Sequence, residues 1–367
     1  MPESHARRRE ALRELLRARE VDAALVTDLL NVRYLSGFTG SHAALLVPAG
    51  DGPADESGTA FATDGRYETQ AGEQVPDLHR SIKSSASRAL AARAGSAGHR
   101  RLGLESQHVT VDAWDALAEA AGDVELVRAP GLVEQLREVK DEGEVEALRR
   151  ACDAADRALA DLVAGGGLRA GRTEREVARE LENRMLDHGA AGPSFETIVA
   201  AGANSAVPHH RPSAAVLADG DLVKMDFGAL VEGYHSDMTR TVVLGEPQQW
   251  QRDLHDLVRR AQAAGREALA AGVEASAVDA AARGVIEEAG RGEEFVHGLG
   301  HGVGLQIHEA PALSQRGTGT MAAGMAVTVE PGVYLPGRGG VRIEDTLVVR
   351  PSSAELLTLT TKDLVAV

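Results

Sequence analysis

Four carboxylates and one imidazole in the last third of the chain are the residues best suited to chemistry. Asp226 lies in M-D-F-G, Asp237 in H-S-D-M-T-R-T, His301 in H-G-L-G-H-G-V-G, Glu330 in T-V-E-P-G and Glu344 in V-R-I-E-D. A carboxylate-rich set with one histidine suits fairly hard divalent ions such as manganese, magnesium or zinc better than thiolate-seeking ones. Two cations bridged by carboxylates lower the pKa of a water held between them, so the set points to a hydrolase that uses metal-bound hydroxide.

Strand pairs must bring these residues together. Asp226 and Asp237 flank Val231-Glu232-Gly233-Tyr234, a turn sequence, and two strands folded back on each other would present both acids on one face. Taken alone, acids beside a turn are usually solvated, but Val223, Met225 and Phe227 make the Asp226 segment a core strand, where a carboxylate needs a partner. Glu330 and Glu344 repeat the arrangement across Pro336-Gly337-Arg338-Gly339-Gly340, with Ala326, Val327 and Val329 before and Leu347, Val348 and Val349 after. Arg342 shares the face of Glu344, and by itself that pair would equally well brace a hairpin. Two hairpins that each carry two carboxylates favour a shared site.

His297, His301 and His308 sit in or beside a glycine-dense stretch, which implies tight backbone geometry around the imidazoles. The stretch has no G-x-G-x-x-G register and no Walker lysine, so a nucleotide loop is excluded. One imidazole would ligate metal and the others would donate to an oxyanion or to substrate. His209 and His210, in the loop before the Asp226 strand, read by themselves as exposed loop histidines. Glu330 is the best candidate for accepting a proton from the attacking water. No G-x-S-x-G elbow or reactive-cysteine setting competes.

A chain of 367 residues reads as two domains, and 43% hydrophobic with 26% charged residues is ordinary for a globular protein. The net charge of -16 argues against phosphate-backbone binding, so nucleic acid is not an expected partner. Cys152 is the only cysteine, which excludes an intrachain disulfide. The N-terminus lacks a signal-like apolar core and no apolar run is long enough to span a bilayer, so a cytoplasmic protein with no membrane association is expected. The fold class is α/β (α+β). Ser4 is expected to cap a helix running to about Glu20, followed by strands near 21–27, 41–48 and 59–63 with a surface loop at 49–58. Ala129-Pro130-Gly131 breaks the pattern and divides an α/β domain, residues 1–130, from residues 131–367. A charged helix is expected from about Leu132 into Leu162. The Thr173/Glu176 capping-box signal opens another to about His188, and two more occupy 249–271 and 276–290.

Taken in order, D-F-G, H-S-D-M-T-R-T, H-G-L-G-H-G-V-G-L, V-E-P-G-V-Y and V-R-I-E-D resemble the pita-bread metallopeptidase family of aminopeptidase P and prolidase. N-V-R-Y-L-S-G-F-T-G-S (31–41) and T-D-G-R-Y (63–67) resemble the creatinase/prolidase N-terminal domain. The resemblance implies that Asp226 binds one metal, that Asp237 and Glu344 bridge two, and that His301 and Glu330 bind the other. It implies that His209, His297, His308 and Arg342 orient the peptide and stabilise the intermediate, whereas His210 matches no family position. It further implies a homodimer that cleaves small peptides with proline second, using two divalent ions, manganese ahead of zinc, cobalt or magnesium. Proline's ring and missing N–H defeat peptidases that read an extended backbone, which gives a dedicated enzyme its use. Gln306 stands where many relatives carry an acid and leaves the metal set intact. Aminopeptidase P and prolidase types remain undivided at this level. A creatinase-like C–N hydrolase and a non-catalytic peptide-binding module are the alternatives, and the intact set of five ligands speaks against both.

Overall fold

The computed structural model describes residues 2–50 and 56–367, which divide into two compact units, Met1–Arg137 and Glu138–Val367. The first is built on a six-stranded mixed sheet, in spatial order His79–Ile82, Ala60–Thr63, Ala43–Pro48, Ala23–Val26, Arg101–Leu104 and Glu125–Arg128. The three expected strands are its middle, paired antiparallel, and the outer strands join in parallel. Of the expected 49–58 loop, residues 51–55 lie outside the described residues. The first helix, Pro2–Ala18, begins before Ser4, which therefore sits inside the first turn and does not cap it. A proline is tolerated that early because its missing N–H would have no intrahelical partner anyway. Leu12 and Leu16 are buried on this helix, and beside them the buried Arg9 and Arg13 both reach Glu56, at 2.9 and 2.6 Å.

The expected helix from Leu132 to Leu162 is two helices, Leu132–Arg137 and Glu142–Ala164. The break follows from local chemistry. Asp141 and Glu144 form a capping box, each side chain accepting the other's backbone N–H at 3.0 Å, and just before it the Lys140 N–H donates to Gly324 O. The Thr173/Glu176 box caps Glu174–Asp187 as the sequence indicates, and the next helices are Gln249–Ala268 and Ala275–Glu288.

Each helix pair covers its own sheet. Ala155, Leu159, Val177 and Leu181 pack with Met225, Phe227 and Met238, while Val258, Ala261, Val278 and Ile286 pack with Val327, Val329, Val341 and Leu347. The first sheet orders Met238–Val243, Leu222–Phe227 and Ile198–Ala201. The second orders Glu309–Leu313, Gly300–Gly302, Ala326–Val329, Asp345–Val349 and Ala354–Leu356. No helix among the described residues is long and apolar enough to cross a membrane.

His255, buried on Gln249–Ala268, is lowered to about 4 by burial and by nearby Arg259. Between pH 6.5 and about 4 the unfolded chain takes up a proton that the folded chain refuses, so stability present above 6.5 is lost as pH falls. His255→Gln should flatten the urea-unfolding profile across that window by up to about 3 kcal/mol relative to wild type. Identical profiles would show that His255 is not held neutral.

Candidate metal centre

Strand register assembles the carboxylates. Leu222–Phe227 pairs antiparallel with Met238–Val243, setting Asp226 opposite Thr239. Asp237, two residues before Thr239, lies on the same face. The intervening chain forms a small hairpin, Ala229–Val231 with Tyr234–His235, turning at Glu232 (φ 49°) and Gly233 (φ 78°). Positive φ at both turn residues gives the twist that a two-residue hairpin requires. In the second sheet Val329 lies opposite Asp345, so the same register places Glu330, just past its strand, across from Glu344, just before its own. The Glu344 N–H donates to Thr239 O at 3.1 Å and joins the two hairpins.

His301 comes from the third short strand, Gly300–Gly302. Its Nδ1–H donates to Gly302 O at 3.0 Å, leaving the Nε2 lone pair 3.5 Å from both Asp237 Oδ2 and Glu330 Oε1. That tautomer is the one a metal-binding imidazole needs. The flanking glycines are required for space: a Cβ at Gly300 would lie 2.1 Å from Thr328 O, and one at Gly302 would lie 2.1 Å from Ala310 O.

Donor atoms of Asp237, His301 and Glu344 lie within 4.8 Å of one another. Asp226 joins through Arg342, whose Nη2 donates to Asp226 Oδ2 while its Nε stands 4.0 Å from Glu330 Oε2. The other oxygen, Asp226 Oδ1, is buried without a hydrogen-bond partner among the described residues. Burial, then the charges of Glu344, Asp226 and Glu330, pushes the Asp237 carboxyl well above its ordinary range; burial, then Glu330 and Asp226, does the same to Glu344. Burial raises Glu330 to about 7, with Asp226 adding to the rise while Arg342 and the Thr328 hydroxyl oppose it. A leftover buried oxygen, a correctly turned imidazole and carboxylates that raise one another's pKa fit a site for divalent cations.

A cavity of about 470 Å³ opens onto this cluster, and its lining includes all five of these residues together with His209, His297, His308 and Arg342. The His308 ring meets His301 edge-on, centroids 4.5 Å apart. His297 donates from Nδ1 to Gly298 O and accepts at Nε2 from the Tyr334 hydroxyl, both at 2.8 Å, and burial lowers it to about 4. His209 is exposed on the rim, lowered by partial burial and by Arg342. His210 also reaches the lining, yet its Nε2 pairs with the buried Glu174 at 2.8 Å, so it anchors the loop.

Several residues that sequence reasoning passed over hold the centre in place. Thr239 Oγ1 donates to Glu344 Oε2 at 2.6 Å and accepts from Arg342 Nε at 3.1 Å. Tyr334 accepts from Arg342 Nη1 at 2.9 Å, and burial pushes its hydroxyl up to about 12, so it stays a donor to His297. Arg240 pairs with Asp345 Oδ1 at 2.7 Å, and both stand inside the motifs that carry the candidate ligands Asp237 and Glu344, which is the signal that could have found them. Lys140, at the start of the second unit, pairs with Glu309 beside His308 at 2.9 Å.

The profile of metallopeptidase family M24 matches residues 146–351, and that of the creatinase/prolidase N-terminal domain matches residues 8–139. Over 358 residues the chain is 39% identical to the uncharacterized peptidase YqhT of Bacillus subtilis (strain 168), covering 97% of this chain and 99% of that one. A solved Xaa-Pro dipeptidase from Bacillus anthracis superposes with a TM-score of 0.94 at 37% identity, covering 99% of this chain and 100% of the other. An X-Pro aminopeptidase from Thermotoga maritima MSB8 gives 0.87 at 35% identity, covering 98% and 99%. Matches of this extent make the chain a metallopeptidase of family M24, with a creatinase/prolidase-type N-terminal domain and a pita-bread C-terminal domain.

Proposed function

We propose that this metallopeptidase is a dinuclear Xaa-Pro peptidase that cuts the bond between an N-terminal residue and proline, as aminopeptidase P or prolidase does. The observation that carries the reading is one cavity, of a size suited to a short peptide, lined by five ligand-type side chains, Arg342 and the histidines. In this reading residues 131–367 are the catalytic domain and 1–130 the creatinase/prolidase-like domain of a cytoplasmic homodimer.

Asp226 would hold one ion, His301 and Glu330 the other, and Asp237 and Glu344 would bridge them. Manganese is the first choice, with zinc, cobalt or magnesium as alternatives. When bound, the ions offset the four carboxylates and lower the pKa of water enough to make hydroxide available near neutral pH. Glu330 takes the proton from the attacking water at a carboxylate oxygen and returns it to the proline nitrogen as the C–N bond breaks and the new C–O bond persists. His209 and His308 face the cavity and donate ring N–H groups to the scissile carbonyl as negative charge develops on its oxygen. His297, with both ring nitrogens engaged, fixes the wall against which the substrate is oriented. Arg342 holds Asp226 and Tyr334 in place and keeps a positive charge beside the reacting group.

Chelator-treated protein should be assayed on Ala-Pro, Ala-Pro-Ala and Ala-Ala, with and without manganese. Metal-restored cleavage before proline, at least on the order of 10²-fold faster than cleavage of Ala-Ala, is expected. The preferred length then assigns the prolidase or the aminopeptidase P type. Failure to cleave either proline peptide with manganese, zinc, cobalt or magnesium would refute the reading.

A further inference from the structure

Every residue of Leu222–Phe227 is buried, and the strand nevertheless carries a lysine two positions before Asp226. Lys224 is fully buried, and among the described residues no carboxylate forms an ion pair with it. An amine at such a position costs desolvation that a methionine or leucine would avoid. What it gains is a grip on two successive carbonyls: Nζ donates to Val207 O at 2.6 Å and to Pro208 O at 3.1 Å, with the Tyr334 ring centroid 5.1 Å away. Pro208 O also accepts from Arg342 Nη1 at 3.2 Å.

The gripped residues immediately precede His209. On the other side of His209, His210 is tied to Glu174, which also accepts from the Ser213 N–H and hydroxyl at 2.9 and 2.7 Å. The loop is thus anchored on both flanks of an imidazole that makes no side-chain hydrogen bond among the described residues and lines the cavity. The upstream anchor comes from the same strand as Asp226, so the lysine links the placement of His209 to that of the carboxylate cluster.

We propose that Lys224 is a positioning residue that fixes the His209 imidazole over the cavity by holding the Val207 and Pro208 carbonyls. The proposal rests on the reading of the site as an Xaa-Pro peptidase in which His209 touches substrate. A loop freed at these carbonyls lets the imidazole wander by an ångström or more, a displacement that costs roughly 10²-fold in rate.

The test compares wild type, Lys224→Met, Lys224→Gln, His209→Ala and the Lys224→Met/His209→Ala double variant, all manganese-loaded. The readouts are kcat and KM on whichever of Ala-Pro and Ala-Pro-Ala the wild type prefers, and the thermal midpoint. Lys224→Met is expected to lose about 10- to 100-fold in kcat/KM while its thermal midpoint equals or exceeds that of wild type, because a buried amine has been replaced by an apolar chain of similar length. The double variant should be no slower than His209→Ala alone, since the lysine acts through that ring. Wild-type kinetics in Lys224→Met, or losses that multiply in the double variant, would overturn the proposal. So would a Lys224→Met chain that does not fold, or a fall in stability parallel to the fall in rate in Lys224→Gln, because the lysine would then be a structural residue. A wild-type chain that leaves both Ala-Pro and Ala-Pro-Ala intact would remove the functional reading and the proposal together. A wild-type chain that cleaves one of them and is matched on it by Lys224→Met would remove the proposal alone.

Discussion

Glu344→Gln is expected to abolish peptide hydrolysis while raising the thermal midpoint of the chelator-treated protein. Glu344 is buried with Asp226, Asp237 and Glu330 around it, and burial followed by Glu330 and Asp226 drives its carboxyl well above the ordinary range. Without cations the group either stays charged against its neighbours or takes up a proton against neutral pH. A glutamine of the same shape avoids both costs and still accepts from Thr239 Oγ1 through its carbonyl oxygen. The gain should be about 1 kcal/mol, or a few degrees in the midpoint. Turnover should fall by roughly 10³-fold or more, because a proposed bridging ligand loses its charge. Manganese should raise the midpoint of wild type well beyond that of the variant. Turnover within tenfold of wild type, or a clear fall in the midpoint of the chelated variant, would show that Glu344 serves the fold and not a cation.

The second large effect is structural. Arg240→Met should destabilise the protein by about 3–5 kcal/mol, because it strips a buried carboxylate of its main partner. Arg240 donates to Asp345 Oδ1, to the carbonyls of Thr360 and Thr361 in the C-terminal segment, and to those of Thr239 and Glu344. Asp345 is fully buried and also accepts from Gln262, Thr358 and Lys362. Although burial pushes the Asp345 carboxyl up, Arg240 and Lys362 hold it below the usual range, so this stability is present above the ordinary carboxylate pKa and is lost as pH falls through the depressed value. A loss of this size lowers the thermal midpoint by roughly 10 °C. A drop under about 2 °C would mean that Lys362, Gln262 and Thr358 satisfy Asp345 without the arginine.

The acids of the candidate metal centre were legible because each is a polar group inside an apolar strand pattern next to a turn. Asp226 between Met225 and Phe227, and Glu344 two residues after Arg342, cannot be solvated once those strands are buried. The register that aligns them was legible only in outline. The turn at Glu232–Gly233 closes a small hairpin of its own, and the pairing of Asp226 with Thr239 depends on the longer strands beneath it. The helix break at residues 138–141 was hidden because the apolar period continues through it. The capping box of Asp141 and the tie of Lys140 to Gly324 override that period, and Gly324 is far away in the sequence.

Long-range polar pairs were the least legible. Arg240 and Asp345 are ordinary charged residues until strand pairing buries them together. Nothing in V-K-M-D marks Lys224 for a role, and only the fold brings the Val207 and Pro208 carbonyls onto its amine. His209 and His210 illustrate the same limit for spacing and composition, since only the family resemblance separates them in the sequence. They are adjacent and chemically identical, and the difference between them is a buried carboxylate on another element, Glu174.

The most direct measurement is a manganese titration of chelator-treated protein, following the metal retained per chain and the hydrolysis of Ala-Pro and Ala-Pro-Ala in the same samples. Two ions per chain, activity rising with their occupancy, and loss of both in Glu344→Gln are expected. A chain that retains no manganese, zinc, cobalt or magnesium, or one that hydrolyses its preferred proline peptide at full rate when metal-free, would contradict the assignment of Asp226, Asp237, His301, Glu330 and Glu344 as the catalytic metal site.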